Sequence, residues 1–356
     1  MNILVTRLQN IGDMLAFIPA LRLLRQAVPQ ARITLLCKHD GGINIIRDCP
    51  YYDDMLTVKD RSIKEKFRLI CEFRKRKLDY FIISPQDRGR VPWALLGGAK
   101  KIIAFKEIME HGERKKEKLP CCIDICPDYN HEQTETENCA ILIEAFCKYN
   151  NIVSPQPADL SLEYSWTRPE SRRKVTKLLK DNNLCPGKYL ILAPFSAKQQ
   201  SKNWRIQDWF ELIFWIHEQF GYSTVIIGGN AEARLAEDFA VLKNVLPIYD
   251  FCGEITLDES YVLMEQSAGF IGLDSGPAFL ASAAGIPAVV LYGPGDIVRW
   301  HPPQTAAVRI NIHYPQPCSP CRHKICPNNS LCMDAITLTE VKKAVARVCK
   351  EKHLNI

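Results

Sequence analysis

No run in the 356-residue chain is long and apolar enough to form a membrane-spanning helix. The longest apolar stretch, residues 278–292, is broken by Ser282, Gly285 and Pro287 and falls short of the roughly 20 residues a span needs. The opening residues, MNILVTRLQNIGDM, also lack the apolar core of an export signal, because Arg7, Gln9, Asn10 and Asp13 interrupt it. The expectation is a cytoplasmic protein. A strong charge excess is missing too. There are 46 Lys or Arg against 40 Asp or Glu, a net charge of +6, which is too weak to argue for nucleic acid as a partner. No fixed-period repeat is visible. The hydrophobic share of 47% and charged share of 24% exclude disordered and collagen-like chains.

What is present in excess is cysteine. Fifteen of them, an odd number, in a chain without an export signal argue for thiols or metal ligands rather than a disulfide framework. The length suggests two domains, each able to bury a core. Short continuous runs rich in Ile, Leu and Val predict strands at residues 2–6, 32–37, 55–58, 79–84 and 101–105. A second set falls at 189–193, 223–228, 247–252, 269–273 and 287–292. Such runs, without a period of two, mark strands covered on both faces, as in parallel sheets. Helical patterns lie between them at 13–27, 63–77, 206–220, 231–242 and 256–267, with a last helix from 338 to about 352. The alternation reads as an α/β protein with two doubly wound domains. The break lies near residues 150–168, where Pro155, Pro157 and Pro169 punctuate a polar stretch. The expected boundaries are 1–165 and 166–335, with a C-terminal helix over 336–356.

Charge is uneven along the chain. Residues 59–118 hold 18 Lys or Arg against 9 Asp or Glu, densest at Arg74-Lys75-Arg76-Lys77 and Arg114-Lys115-Lys116. This is either a solvated helix face or a surface for phosphates on a lipid or polyanionic glycan.

Four short segments carry candidate chemistry. Gly12-Asp13 follows the first strand. Gly12 permits close approach, and Asp13 is either the N-cap of the first helix or a carboxylate at the ligand-binding edge of a parallel sheet, ionised at neutral pH. Lys202-Asn203-Trp204 follows the first strand of the second domain, where a Lys can reach a phosphate, or simply lie in solvent beside a packing Trp. Gly228-Gly229-Asn230, with Glu232 close behind, is a strand-to-helix turn of a kind common in nucleotide sites. Asp274-Ser275-Gly276-Pro277 follows another strand. Pro277 suits a first helical turn, so the segment is either a capped helix start or a helix N-terminus aimed at an anion.

In this order and spacing, and with Pro19-Ala20-Leu21 and Tyr292-Gly293-Pro294, the segments resemble glycosyltransferase family 9, the heptosyltransferases of lipopolysaccharide core assembly. The resemblance runs nearly end to end. It implies a GT-B fold, two facing Rossmann-like domains with a cleft between them, the first for the acceptor and the second for the nucleotide sugar. It further implies inverting transfer of heptose from ADP-heptose to an acidic, phosphate-bearing, lipid A-linked acceptor at the inner face of the cytoplasmic membrane, with no cofactor and no essential metal. The Asp13 match is the general base. The Lys202 match holds the diphosphate, Asp274, Ser275 and Gly276 match contacts to sugar and phosphate, and Glu232 matches an acidic residue on the nucleoside. One position departs from the family pattern. Phe279 stands five residues after Asp274, where the family has His, and Phe cannot donate a hydrogen bond to a phosphate.

The segment Cys318-x2-Cys321-x4-Cys326-x5-Cys332 is either a set of metal ligands or four reduced thiols in a proline-stiffened loop. Cys121, Cys122 and Cys126 form a looser group. Besides heptosyl transfer, two readings stay open. One is transfer from another nucleotide sugar or to a protein acceptor, which Phe279 keeps in view. The other is a weakly catalytic binding protein organised by the cysteine loop.

Overall fold

The computed structural model describes residues 1–8, 10–38, 42–85, 88–106, 108–110, 113–115, 122–155, 158–303, 305–321, 323–329 and 331–354. Gln9, Lys116, Cys121 and Pro157 lie outside the described residues. The chain divides into two compact units, Met1–Glu163 and Tyr164–Ile356.

The N-terminal unit runs β1 (Asn2–Arg7), α1 (Ile11–Ala27), β2 (Arg32–Lys38), α2 (Gly42–Ile46), β3 (Asp54–Val58), α3 (Ile63–Arg76), β4 (Tyr80–Ile83), α4 (Val91–Leu96) and β5 (Lys101–Ile103). A hairpin of β6 (Ile108–Glu110) and β7 (Glu113–Lys115) follows, then α5 (Glu135–Tyr149). Strands β1 to β5 form a parallel sheet in the order β3-β2-β1-β4-β5. Its strands are continuous apolar runs because they are covered on both sides. All four residues of β4 are buried, and so are five of the six in β1. Helix α1 is buried continuously from Asp13 to Leu24, packed against α5. That explains why it is apolar nearly all round rather than amphipathic.

The C-terminal unit runs α6 (Pro169–Asp181), β8 (Tyr189–Ala193), α7 (Ile206–Phe220), β9 (Ser223–Ile226), α8 (Asn230–Ala236), β10 (Ile248–Asp250), α9 (Leu257–Glu265), β11 (Gly269–Leu273), α10 (Gly276–Ala283), β12 (Ala288–Tyr292), β13 (Arg309–His313), α11 (Leu331–Asp334) and α12 (Leu338–Leu354). Its parallel sheet has the order β10-β9-β8-β11-β12-β13. Trp209, Leu212 and Ile216 of α7 and Val341, Val345 and Val348 of α12 belong to one core with Leu190, Ile271 and Val289 of the strands.

The two parallel-sheet α/β domains expected from strand–helix alternation are therefore present. Several elements went unforeseen, and two of them are instructive. Strand β13, Arg-Ile-Asn-Ile-His at the sheet edge, has a single buried residue, Ile312, so it shows no continuous apolar run. Helix α5 opens at Thr134, whose hydroxyl accepts from the Glu137 amide while the Glu137 carboxylate accepts from the Thr134 amide. This capping box was available in the sequence as Thr134-x-x-Glu137.

Both sheets have one place where the strand order reverses direction. In the N-terminal unit it lies between β1 and β4, and in the C-terminal unit between β8 and β11. The loops leaving those neighbouring strands run to opposite sides and open a crevice at the carboxyl edge, the usual ligand position in such sheets.

Candidate functional site

In the N-terminal unit the loop at the reversal leads from β1 to Asp13. The residue is not the N-cap of α1, as one sequence reading had it. Asn10 occupies the cap, Ile11 begins the helix, and Asp13 is its third residue. Its Oδ2 reaches back to accept from the Asn10 amide at 3.1 Å. The cap could not be placed from sequence because Asn10 and Asp13 are equally good cap residues three positions apart. Gly12 is the second residue of the helix.

Asp13 belongs to a buried charge cluster. Arg7, at the end of β1 and fully buried, donates from Nε to the Asp13 carbonyl at 2.9 Å and from Nη2 to Oδ1 at 3.4 Å. Its Nη1 donates to Oε1 of Glu135 at 3.0 Å, and the Tyr129 hydroxyl donates to Glu135 Oε2 at 3.1 Å. One guanidinium thus serves two carboxylates. Burial raises the proton affinity of the Asp13 carboxyl, the Arg7 charge opposes the rise, and the Glu135 charge adds to it. The result is a carboxylate with more proton affinity than an ordinary Asp, which is the requirement of a general base. Glu135 went unnoticed in the sequence because it comes from α5, far along the chain.

The C-terminal unit brings Lys202 and Asp274 together at its own reversal, from the loops after β8 and β11. Trp204 is buried in the core and donates from Nε1 to the Ile336 carbonyl at 2.9 Å. Asn203 Oδ1 accepts from the Ser196 amide at 2.7 Å. With its neighbours pinned, Lys202 points along one course. Its Nζ donates to the Asp274 carbonyl and to Oδ2, both at 2.9 Å. An ammonium has three protons, so one remains to meet a ligand. Ser275 caps α10 in extended conformation and turns its hydroxyl back to the Leu273 carbonyl at 3.2 Å. Gly276 and Pro277 open the helix.

The loop after β12, Gly293-Pro294-Gly295, forms the third wall. A Cβ at Gly295 would overlap Oδ2 of Asp274 and lie 3.7 Å from Lys202 Nζ. Gly295 is a site residue that the sequence reading missed, although a Gly-Pro-Gly turn after a strand was the signal for it. The cysteine segment braces two of these loops. The Ser201 amide donates to the Lys324 carbonyl at 2.9 Å, the Ser201 hydroxyl to the His323 carbonyl at 2.6 Å, and the Cys321 amide to the Pro294 carbonyl at 2.9 Å. Cys318, Cys321, Cys326 and Cys332 are free thiols, and no group of three or more His, Cys, Asp or Glu is arranged to hold a metal ion among the described residues.

Two further positions are now located. Glu232 holds loops together: Oε1 accepts from the Ala197 amide and Oε2 from the Gly229 amide, each at 3.1 Å. Phe279 is 3% exposed, its ring edge-on to Trp300 with centroids 6.5 Å apart, and the Arg299 guanidinium lies over the other aromatic at 5.0 Å.

The N-terminal unit also contains a cavity of about 280 Å³ beyond the end of β3, lined by Val58, Asp60, Arg61, Lys66, Arg90 and Trp93. The Arg90 guanidinium stacks over the Trp93 ring at 4.2 Å. Its lining carries three cations and one carboxylate.

Residues 143–332 match the sequence profile of "Glycosyltransferase family 9 (heptosyltransferase)". The chain is 25% identical over 307 residues to lipopolysaccharide heptosyltransferase 3 of Escherichia coli, covering 82% of this chain and 83% of the relative. Among solved structures it resembles a glycosyl transferase family 9 protein of Veillonella parvula, with a TM-score of 0.76 at 18% identity over 98% and 97% of the two chains. It also resembles the ADP-heptose LPS heptosyltransferase II of E. coli, with a TM-score of 0.74 at 17% identity over 99% and 100%. These likenesses carry the GT-B assignment of the fold.

Proposed function

The chain belongs to glycosyltransferase family 9, and from that premise we propose that it moves heptose, with inversion, from ADP-heptose to the lipid A-linked inner core of lipopolysaccharide. The observation that carries the proposal is the Lys202–Asp274 pair, set at the strand reversal beside the opening turn of α10. In the reaction the acceptor oxygen attacks the anomeric carbon while its proton passes to the Asp13 carboxylate. The bond from that carbon to the diphosphate breaks, and negative charge grows on the departing ADP. The remaining Lys202 proton and the α10 N-terminus stabilise that charge where it develops. A single preorganised donor of this kind contributes about 10²–10³ in rate. The Asp274 carboxylate keeps Lys202 fixed and, with Ser275 and Gly276, faces the sugar and phosphate. We assign Glu232 to the nucleoside, its carboxylate oriented by the two amides it accepts from. No metal is assigned to the step.

The acceptor side rests on charge. The cavity with Arg61, Lys66, Arg90 and Trp93 suits a phosphate-bearing sugar, the guanidinium and indole offering a flat face and the cations the counter-charge. The acceptor's lipid anchor implies work at the inner face of the cytoplasmic membrane. No described helix is long and apolar enough to cross it, and the association we propose is peripheral. A second reading, transfer from a different nucleotide sugar, is favoured by Phe279, since the position carries an apolar ring packed on Trp300 instead of a donor.

The test is transfer by the purified protein to a heptose-deficient lipopolysaccharide, with ADP-heptose compared against GDP- and UDP-sugars. Asp13→Asn should lower turnover by about 10²–10⁴ and leave donor affinity intact. Lys202→Ala should lower both, because the diphosphate is charged in the ground state and more so in the transition state. Selective transfer from a GDP- or UDP-sugar would replace the heptose assignment with the second reading.

A further inference from the structure

We infer that the outward face of α3, continued by the end of α4, is a docking surface for an anionic lipid bilayer. The inference rests on the proposed lipid-linked acceptor and names the element that meets the membrane.

Helix α3 buries Glu65, Leu69 and Phe73 on its inner side. On the opposite side, one turn apart, Ile63 is 83% exposed and Phe67 68% exposed. Residues four apart share a face, so these two large side chains stand together in water. Leu95 and Leu96, at the end of α4, are about half exposed. The Arg74 Nε donates to the Leu96 carbonyl at 2.8 Å, which joins the end of α4 to the outer side of α3. Two large apolar side chains together on a water-facing helix, with two more at the adjoining helix end, mark a surface that something covers.

The charge around it identifies the occupant. Arg61, Lys64, Lys66 and Arg74 are exposed on the same helix or its entry. No ion pair joins Arg61, Lys64 or Lys66 to a carboxylate among the described residues. The acidic residues of α3 are already matched, Glu65 to Arg68 and Glu72 to Lys75 and Arg76. Apolar side chains ringed by unmatched cations are the pattern of a helix lying in a lipid interface, its rings among the acyl chains and its ammonium groups among anionic headgroups. A second copy of this chain fits poorly. A two-fold contact would set the patch against itself and bring Arg61, Lys64 and Lys66 face to face with their equivalents. Four apolar side chains also fall short of the roughly 800 Å² per partner of a stable interface. The cavity with Arg61 and Lys66 opens from the same helix entry, so docking would place it at headgroup level, where a lipid-anchored phosphate sugar lies.

The experiment is sedimentation of the full chain with vesicles of phosphatidylcholine plus phosphatidylglycerol, against phosphatidylcholine alone, at rising salt. The expected result is binding to the anionic vesicles that weakens with salt, since screening acts over ~8 Å at physiological ionic strength. The double variant Ile63→Asp, Phe67→Glu should retain the wild-type melting temperature and lose at least about tenfold in partitioning, on the scale of losing buried apolar area. A Phe67→Trp variant should show a blue-shifted emission increment on the anionic vesicles. Equal partitioning of wild type and double variant would overturn the inference. So would equal binding to neutral vesicles, or a self-association that the double variant abolishes. Transfer to a deacylated acceptor separates the two proposals. Vesicle binding that depends on Ile63 and Phe67, in a chain that transfers no sugar, would leave the docking face standing and remove the transferase reading. Unchanged transfer by the double variant to a vesicle-embedded acceptor would do the reverse.

Discussion

Gly295→Ala tests the donor half of the site with one methyl group. Gly295 is not among the glycines with positive φ, so alanine meets no backbone obstacle there. The obstacle is Asp274, because the added Cβ overlaps its Oδ2. A carboxylate tip in solvent would swing away at little cost, but Asp274 is 6% exposed and held by Lys202 at 2.9 Å. To restore van der Waals separation the oxygen must retreat by about 1 Å. That retreat runs nearly at right angles to the Lys202 contact, which stays near ~3 Å, so the carboxylate is shifted sideways with its ammonium partner kept. A misplacement of about 1 Å in a positioning group costs up to about a hundredfold, so donor affinity should fall roughly ten- to a hundredfold. The melting temperature should drop by only a few degrees for a unit of this size. Calorimetry with ADP and a thermal melt read the two quantities. Gly285→Ala is the control. Gly285 has φ +64° and open space at its Cβ, so alanine there costs about 1 kcal/mol of stability and no donor affinity. If Gly295→Ala binds ADP as the native chain does, the Lys202–Asp274 pair is not the diphosphate site.

Glu135→Gln removes a negative charge that raises the proton affinity of Asp13 and leaves Arg7 to that carboxylate alone, so the acidic limb of the rate–pH profile should move to lower pH. The sign follows because a base is lost as pH falls through its own pKa; an unmoved limb would separate Glu135 from Asp13, and a conservative Glu135→Asp should restore much of the native profile. Phe279→Ala opens a hole beneath Trp300 and should cost about 3–5 kcal/mol in denaturant titration, with a loss under about 1 kcal/mol showing that the ring is not part of the core.

The strands were legible because a parallel sheet covered on both faces writes each strand as an unbroken apolar run, as in β8, where all five residues are buried. Edge strand β13 writes no such run and was lost. Residues that carry charge next to a strand end were legible as motifs, since Asp13, Lys202 and Asp274 each follow an apolar run within a short loop. What periodicity cannot show is which strands are neighbours, and the role of each motif depends on that. The sequence order of β8, β9 and β11 puts Lys202, Glu232 and Asp274 on an equal footing. The spatial order β10-β9-β8-β11 does not. Lys202 and Asp274 leave the two strands that flank the reversal, so their loops part around a crevice and their side chains meet at its floor. Glu232 follows β9, one strand away, where the neighbouring loops run side by side, and both its oxygens accept from backbone amides of those loops. In the N-terminal unit the same rule places Asp13 at the reversal between β1 and β4, with Arg7 and Glu135 supplied from β1 and α5. A carboxylate at a reversal thus stands beside the crevice, whereas half-buried Glu232, one strand over, ties two neighbouring loops together. This distinguishes Asp13 and Asp274 from Glu232 on topology alone, before any ligand is considered.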